Sequence, residues 1–287
     1  MAAEAPQTGG GSRPTPTARP IDVARLERSL SPAARSVVES IEHFSVLEST
    51  NRHLLAGPLP ATGRARVAMA EFQEGGRGRH GRRWLMPSGT GIALSASWRF
   101  DAPPQELSAL SLAIGAAARQ AIRDATGLSV GLKWPNDLIV DGGKLGGILV
   151  EIDPLESGAC HVVAGIGINV AVPPELLGEL SDMPGGARDL ASVLPNVAID
   201  RSELAAALVE RLLGLFVDFV DTGFSSWREE WLDAHVLADR TVELRAHGRI
   251  DTGIVRGIDA DGALIVEDDA GRSRRVVSGE VSVRERA

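Results

Sequence analysis

A single cysteine, Cys160, stands in the 287-residue chain. One thiol excludes an internal disulfide and any cysteine-rich zinc site. No apolar run approaches the roughly 18 residues that a membrane-spanning helix needs. The N-terminus lacks a basic start followed by an apolar stretch, so no secretory signal is read there. A cytoplasmic protein with no membrane partner is therefore expected. The six histidines show no metal-ligand spacing. There is no G-x-x-x-x-G-K-[ST] loop, no G-x-S-x-G elbow and no H-E-x-x-H, which removes the usual P-loop route to ATP and the common hydrolase arrangements. The net charge of −8 argues against general nucleic-acid binding, so no DNA partner is expected.

What is present is ordinary in amount and informative in order. Hydrophobic residues make up 44% and charged residues 24%, as in a soluble globular protein. Residues 1–20 hold four prolines and Gly9 to Gly11, a composition that buries no core and predicts a disordered tail. Val23, Leu26 and Leu30 keep helical spacing after Asp22. From about Ile41 the pattern alternates strands and helices. Arg66–Phe72 reads as a strand. Ile92, Leu94, Ala96, Trp98 and Phe100 fall on every second position, as in a half-buried strand. Leu107, Leu110, Ile114 and Ala118 predict an amphipathic helix over Gln105–Ala125, and Leu128–Trp134 a strand. Asp141-Gly142-Gly143 joins two short strands as a hairpin, and Val162–Val170 reads as a buried strand. Asp200 with Glu203 is a capping box ahead of Leu204, Leu208, Leu212, Leu215 and Phe219. A further helix is read over Phe224–Asp233. After Ala234, five strand-like runs separated by turns suggest a small β-barrel. The expected domains are a tail over 1–20, a larger domain of strands and helices over 21–233 and a small β domain over 234–287.

The densest chemistry lies in Gly76-Arg77-Gly78-Arg79-His80-Gly81-Arg82-Arg83-Trp84. Gly76, Gly78 and Gly81 match G-x-G-x-x-G. The dinucleotide fingerprint opens a helix, however, and Trp84 to Gly91 is turn-rich. Two readings fit this stretch: a solvated basic loop, or a loop that wraps a phosphate or carboxylate. Glu48-Ser49-Thr50-Asn51 likewise fits a helix N-cap or a cluster of hydroxyl and amide groups for a polar ligand. In Lys133-Trp134-Pro135-Asn136-Asp137, a lysine at an apolar strand end is costly unless an anion receives it. Asn136 and Asp137 suit a turn, and either could contact a sugar or a metal. Lys144 precedes Leu145-Gly146-Gly147, and Gly165-x-Gly167-x-Asn169 places glycines inside a strand, where something must pack against the backbone. A cationic, glycine-rich pocket with few acids or bases suits a reaction whose nucleophile is already ionised and whose barrier is charge repulsion. Attack of a carboxylate on the α-phosphate of ATP is such a reaction.

In these same stretches the chain resembles the biotin–protein ligases (biotin–[acetyl-CoA-carboxylase] ligases). The resemblance runs through Ser49-Thr50-Asn51, Gln73 with Gly76–Trp84, Lys133–Asp137, Lys144–Glu151, Gly165–Val170 and the final Gly279–Arg284. It covers about residues 41–287. It implies an α/β (α+β) fold: a mixed β-sheet catalytic domain with packed helices, followed by a small SH3-like β-barrel. It also implies an enzyme that makes biotinyl-5′-AMP from biotin and MgATP, then passes biotin to one lysine of a biotin carboxyl carrier domain of acyl-CoA or pyruvate carboxylases, releasing AMP and diphosphate.

By resemblance, Ser49, Thr50, Asn51 and Gln73 bind biotin, mainly at its ureido ring, and the backbone of Arg77 and Gly78 closes over it. Arg79 faces the carboxylate and phosphate. Lys133 bridges the biotin carboxylate and the α-phosphate, which makes Lys133 and Arg79 the implied catalytic residues. Gly76, Trp84 and Asn169 are implied on the ATP side, with Arg284 reaching the ATP phosphates from the small domain. Asp137 is the candidate metal contact for Mg2+, or an amine-orienting group. Two alternatives stand beside this reading. A lipoate-type ligase shares a related core, but the Gly-Arg-Gly loop joined to Lys-Trp-Pro-Asn-Asp favours biotin. A biotin-sensing transcriptional regulator would carry an N-terminal winged helix, and only 48 residues precede Ser49. The enzyme-only type, without the DNA-binding domain, is the expectation.

Overall fold

Local capping chemistry starts the chain's described part. The structure, a computed structural model, describes residues 19–178, 180, 185–246, 249–277 and 282–285, with the side chains at 246, 249, 282 and 284 excepted. The tail expected over 1–20 lies almost wholly outside these residues. Asp22 accepts from Arg25 N and caps α1 (Val23–Ser29); Ser31 accepts from Ala34 N and caps α2 (Pro32–Val37), with proline in the first turn where its missing N–H costs nothing. Then follow β1 (Val38–Leu47), α3 (Thr50–Ala56), β2 (Ala65–Gln73), β3 (Gly91–Phe100) and α4 (Leu110–Thr126). β4 (Gly131–Lys133), β5 (Asp137–Val140), β6 (Gly143–Pro154) and β7 (Cys160–Asn169) complete one sheet. Two single-turn helices, α5 (Pro174–Leu177) and α6 (Leu190–Val193), lead to α7 (Arg201–Thr222) and α8 (Ser225–Asp233). The C-terminal strands are β8 (Thr241–Ala246), β9 (Arg249–Ile258), β10 (Leu264–Glu267), β11 (Ser273–Val276) and β12 (Ser282–Glu285).

The first sheet has seven strands in the order β1-β2-β3-β7-β6-β5-β4. Only β1 and β2 are parallel; every other pair is antiparallel. The second is a five-stranded antiparallel sheet, β11-β10-β9-β8-β12. A mixed sheet with packed helices and a small all-β unit is the fold class expected above. The β5–β6 hairpin turns on Asp141 and Gly142, both at positive φ (47° and 70°), as a two-residue type I′ loop requires.

Helices α1, α4 and α7 cover one face of the large sheet, and α8 packs on α4. The core there includes a ring cluster of Trp98, Phe100, Phe216 and Phe219, with centroids 5.5–6.4 Å apart. On the opposite face lies α3, seated on a small apolar set of Leu54, Ala68 and Val163. The candidate site lies beside it on the same face. Trp134 Nε1 donates to Gly262 O at 3.0 Å, joining the β4–β5 turn to the small sheet. The backbone of Ala234 and Val236 also hydrogen-bonds Leu132, along the edge of β4.

Several expectations shift in detail. α4 begins at Leu110, not Gln105, because Pro104–Leu107 forms a separate 3-10 turn. The strand read over Leu128–Trp134 shrinks to β4. β3 is not half-buried: Ser95 and Ser97, on its polar parity, are as buried as its apolar positions. The capping box forms by half. Asp200 accepts from Ser202 N (2.9 Å) and Glu203 N (3.2 Å), while the Glu203 side chain turns to Arg25 at 2.5 Å.

Candidate active site

Strand parity assembles the site. Ser95 on β3, Gly147 and Leu149 on β6, and Gly165 and Gly167 on β7 line the α3 side of the sheet. Together with the start of α3, the end of β2, the basic stretch and the β4–β5 turn, they enclose a cavity of about 380 Å³. The glycines are small for identifiable reasons. A Cβ on Gly165 would strike Asn51 Oδ1, and one on Gly167 would lie 2.5 Å from the Trp84 ring.

One end of the cavity is polar and neutral. Ser49 caps α3, which leaves Thr50 and Asn51 in its first turn, both buried. Gln73 Oε1 accepts from Thr50 N at 2.8 Å and lies 3.2 Å from Thr50 Oγ1. Ser95 Oγ lies 2.7 Å from Thr50 Oγ1 and 2.6 Å from Asn51 Oδ1. Asn51 Nδ2 donates to Leu149 O (3.3 Å) and Glu151 Oε2 (2.7 Å). Ser49 is thus the cap, and the next two residues build a polar cluster.

The other end is cationic. The basic stretch folds as a short hairpin, with Gly78 N donating to Arg82 O (2.7 Å), Trp84 N to Gly76 O (2.9 Å) and a bridge between Arg77 and Arg83. His80 (φ 56°) and Gly81 (φ 71°) make its tip. Among the described residues, Arg77, Arg79, Arg82, Arg83, Lys133 and Lys144 line the cavity against one carboxylate, Asp137. Burial pushes the Arg79 guanidinium below its ordinary pKa, partly offset by the charge of Asp137; its Nη1 meets Asn136 Oδ1 at 3.4 Å. Burial, with Arg79 and Arg82 nearby, also lowers His80. Lys133 is 9% exposed at the end of β4, and Lys144 Nζ lies 2.5 Å from Asp137 Oδ1. Trp84 Nε1 is buried and meets no acceptor among the described residues. A cavity with this charge can hold an anion and stabilise negative charge that builds during a reaction.

The structure brings Ser49, Thr50, Asn51, Gln73, Arg77, Gly78, Arg79, Trp84, Lys133 and Asp137 to one cavity wall. It does not bring Gly76 and Asn169 there. Gly76 serves the hairpin, where a Cβ would strike Trp84 O. The Asn169 amide donates to Arg188 O at 3.0 Å. Arg284 lies in β12, and its side chain falls outside the described residues; Val283 beside it reaches the cavity. Sequence reasoning missed Ser95, while Lys144, read as a second lysine beside small residues, does line the cavity. Only the buried polar parity of β3 could have pointed to Ser95.

Two family models match the chain: the "Biotin/lipoate A/B protein ligase family" over residues 43–169 and the "Biotin protein ligase C terminal domain" over 239–284. The biotin–[acetyl-CoA-carboxylase] ligase of Paracoccus denitrificans is 33% identical over 238 residues, covering 78% of this chain and 93% of that protein. The chain belongs to the biotin protein ligase family. The bifunctional ligase/repressor BirA of Escherichia coli (strain K12), another relative, is 35% identical over 247 residues, 85% of this chain and 74% of that protein. A solved biotin protein ligase of Aquifex aeolicus, in complex with biotin and ATP, has a TM-score of 0.68 at 25% identity, and covers 87% of this chain and 99% of that one. The protein is thus a biotin–protein ligase enzyme, and the cavity is the place where its fold gathers chemistry. No helix among the described residues is long and apolar enough to cross a membrane.

Proposed function

We propose that the enzyme activates biotin with ATP as biotinyl-5′-AMP and transfers the biotinyl group to one lysine of a biotin carboxyl carrier domain. Support comes first from one observation: a neutral hydrogen-bonding end and a six-cation end share a single cavity. Biotin is a neutral ureido ring joined to a carboxylate, and ATP brings the phosphates. Thr50 and Gln73, flanked by Ser49 and Asn51, bind the ring. The hairpin backbone at Arg77 and Gly78 covers it, with Arg79 at the carboxylate. The Aquifex relative binds biotin and ATP, and the Paracoccus relative is named for acetyl-CoA carboxylase, which favours an acyl-CoA carboxylase carrier over pyruvate carboxylase.

In the first step a biotin carboxylate oxygen attacks the α-phosphorus and diphosphate leaves. Repulsion between two anions opposes this approach. Lys133, held almost out of water, offsets that charge where it builds, and Arg79 completes the field. In the second step the carrier amine attacks the acyl carbon and AMP leaves. That amine has an ordinary pKa of about 10.4, so it must shed a proton before attack. Orientation in the cavity supplies much of the remaining rate. Trp84 N–H is an open donor on the nucleotide side. A magnesium ion bound with ATP would offset phosphate charge; such an ion takes only one or two carboxylates beside the phosphates, and Asp137, paired with Lys144, would supply one. On this reading residues 21–233 bind biotin and ATP, while 234–287 form the small domain that contributes Val283 and carries Arg284.

Incubation without a carrier tests the first step. Biotin, MgATP and enzyme should yield bound biotinyl-AMP and free diphosphate, resolved by chromatography. Lipoate in place of biotin should yield almost none. An equal yield of lipoyl-AMP would reverse the assignment.

A further inference from the structure

We propose that arginine, standing where lysine would serve equally as a cation, spares the Gly76–Trp84 hairpin from acylation by the enzyme's own intermediate. The proposal rests on the formation of biotinyl-AMP put forward above. Of the 30 lysines and arginines in the chain, only Lys133 and Lys144 are lysines. Both line the cavity, and the four cations of the hairpin beside them are all arginines. Exposed ion pairs far from the cavity, such as Arg211–Asp124 and Arg256–Asp239, are made by arginine too, although lysine can form surface pairs of this kind.

An acyl-adenylate acylates amines; that is the second step of the reaction. In the unwanted version an enzyme amine attacks the acyl carbon. A C–N bond forms, the bond from the acyl carbon to the phosphate oxygen breaks, AMP leaves, and the proton of the amine passes to water. Such an attack needs a nitrogen lone pair. With an ordinary pKa of about 10.4, about one lysine in a thousand carries one near neutral pH. That scarcity gives little protection inside a site, where effective molarities reach about 10⁵–10⁸ M. A guanidinium keeps its charge throughout and offers no lone pair. Arginine therefore supplies the charge that holds phosphate without supplying a nucleophile.

Placement makes the distinction matter. Arg77, Arg82 and Arg83 are exposed and also line the cavity, so each stands within reach of what the cavity holds. Arg79 is set deeper, and burial already pushes its guanidinium below its ordinary pKa. A lysine in those surroundings would start lower and be driven toward the free amine. The two lysines that are present are restrained. Lys144 Nζ lies 2.5 Å from Asp137 Oδ1, and an ammonium paired with a carboxylate has no lone pair to offer. Lys133 is 9% exposed at the end of β4 and, in the mechanism above, faces the phosphate charge.

The test is a long incubation of the enzyme with biotin and MgATP and no carrier, on wild type, Arg82→Lys, Arg83→Lys and Arg211→Lys. Intact-mass and peptide mass spectrometry read biotin on lysine, and chromatography follows biotinyl-AMP in the same samples. Both hairpin variants should take biotin at the substituted position, at least about tenfold above any lysine label in wild type. Arg211→Lys, on α7 across the sheet from the cavity, should stay near the wild-type level. Where a variant adenylates slowly, supplied biotinyl-AMP repeats the test. Should one hairpin variant fail to fold, the other decides. Hairpin variants that hold biotinyl-AMP yet stay unlabelled would overturn the proposal. Wild type labelled on Lys133 or Lys144 as heavily as the variants would also overturn it. So would equal label at positions 83 and 211, which marks free intermediate in solution rather than reach within the site. Absence of biotinyl-AMP in wild type would remove the reading beneath the proposal, and the proposal with it.

Discussion

At the scale of single residues, function depends on where a charge sits and what it costs there. Lys133 lies at a strand end with 9% of its surface exposed, beside a cavity walled by five other cations. Removing one donor aimed at developing charge typically lowers a rate by about 10²–10³. Lys133→Ala should lose biotinyl-AMP formation by about that factor, while transferring biotin from supplied biotinyl-AMP with a smaller loss. Single-turnover measurement of each step separates the two, and wild-type adenylation in the variant would remove Lys133 from the mechanism. Gly167 makes a different point. A methyl there would press on the Trp84 ring, and overpacking of this kind costs about 1–3 kcal/mol. Gly167→Ala should raise KM for ATP with biotin affinity nearly intact. A rise in the biotin KM alone would place Trp84 on the wrong ligand. Cations and glycines were legible in the sequence because their type announces their use. Ser95 and Glu151 were not, since serine and glutamate are common, and their partners lie 44 and 100 residues away along the chain.

At the scale of elements, local chemistry was the most legible. Asp141-Gly142 makes the turn that its residues demand, and Asp200 caps α7. Errors arose where a tertiary contact overrode a local signal. Glu203 has the right spacing for a capping box, yet Arg25 of α1 takes its carboxylate. Alternation along β3 implies one wet face, yet α3 covers Ser95. Nothing local in Gly76–Trp84 shows that it pairs Arg77 with Arg83. That hairpin has few cross-links and four like charges, so ligand anions should tighten it. Trypsin should cut at Arg77, Arg79, Arg82 or Arg83 quickly in the free enzyme and much more slowly with biotin and MgATP. Equal cutting in both states would show that the hairpin does not close over its ligands.

At the scale of the whole molecule, the junction between the sheets carries an unusual group. His235 is buried beside Trp231, with ring centroids 4.4 Å apart, and neither ring nitrogen meets a partner among the described residues. Burial pushes its pKa down to about 4 from an ordinary 6.5. The unfolded chain therefore takes a proton first. Stability should be full above about pH 6.5, fall as the pH drops toward 4, and level off below it, a loss of about 3 kcal/mol if His235 acts alone. His161, buried in β7 and also pushed down by burial, adds in the same direction. Urea unfolding of wild type and His235→Phe across pH 4–8 measures the His235 share. A pH slope unchanged by the substitution would assign the effect elsewhere.

The same scale holds the central claim, that one cavity runs both half-reactions of protein biotinylation. Enzyme, biotin, MgATP and an isolated biotin carboxyl carrier domain should give a product in which intact-mass and peptide mass spectrometry find one biotinyl group on one lysine. The reaction should depend on biotin, on ATP and on Mg2+, and fall with Lys133→Ala. Unmodified carrier, or biotin scattered over several lysines at the same level with and without enzyme, would contradict it.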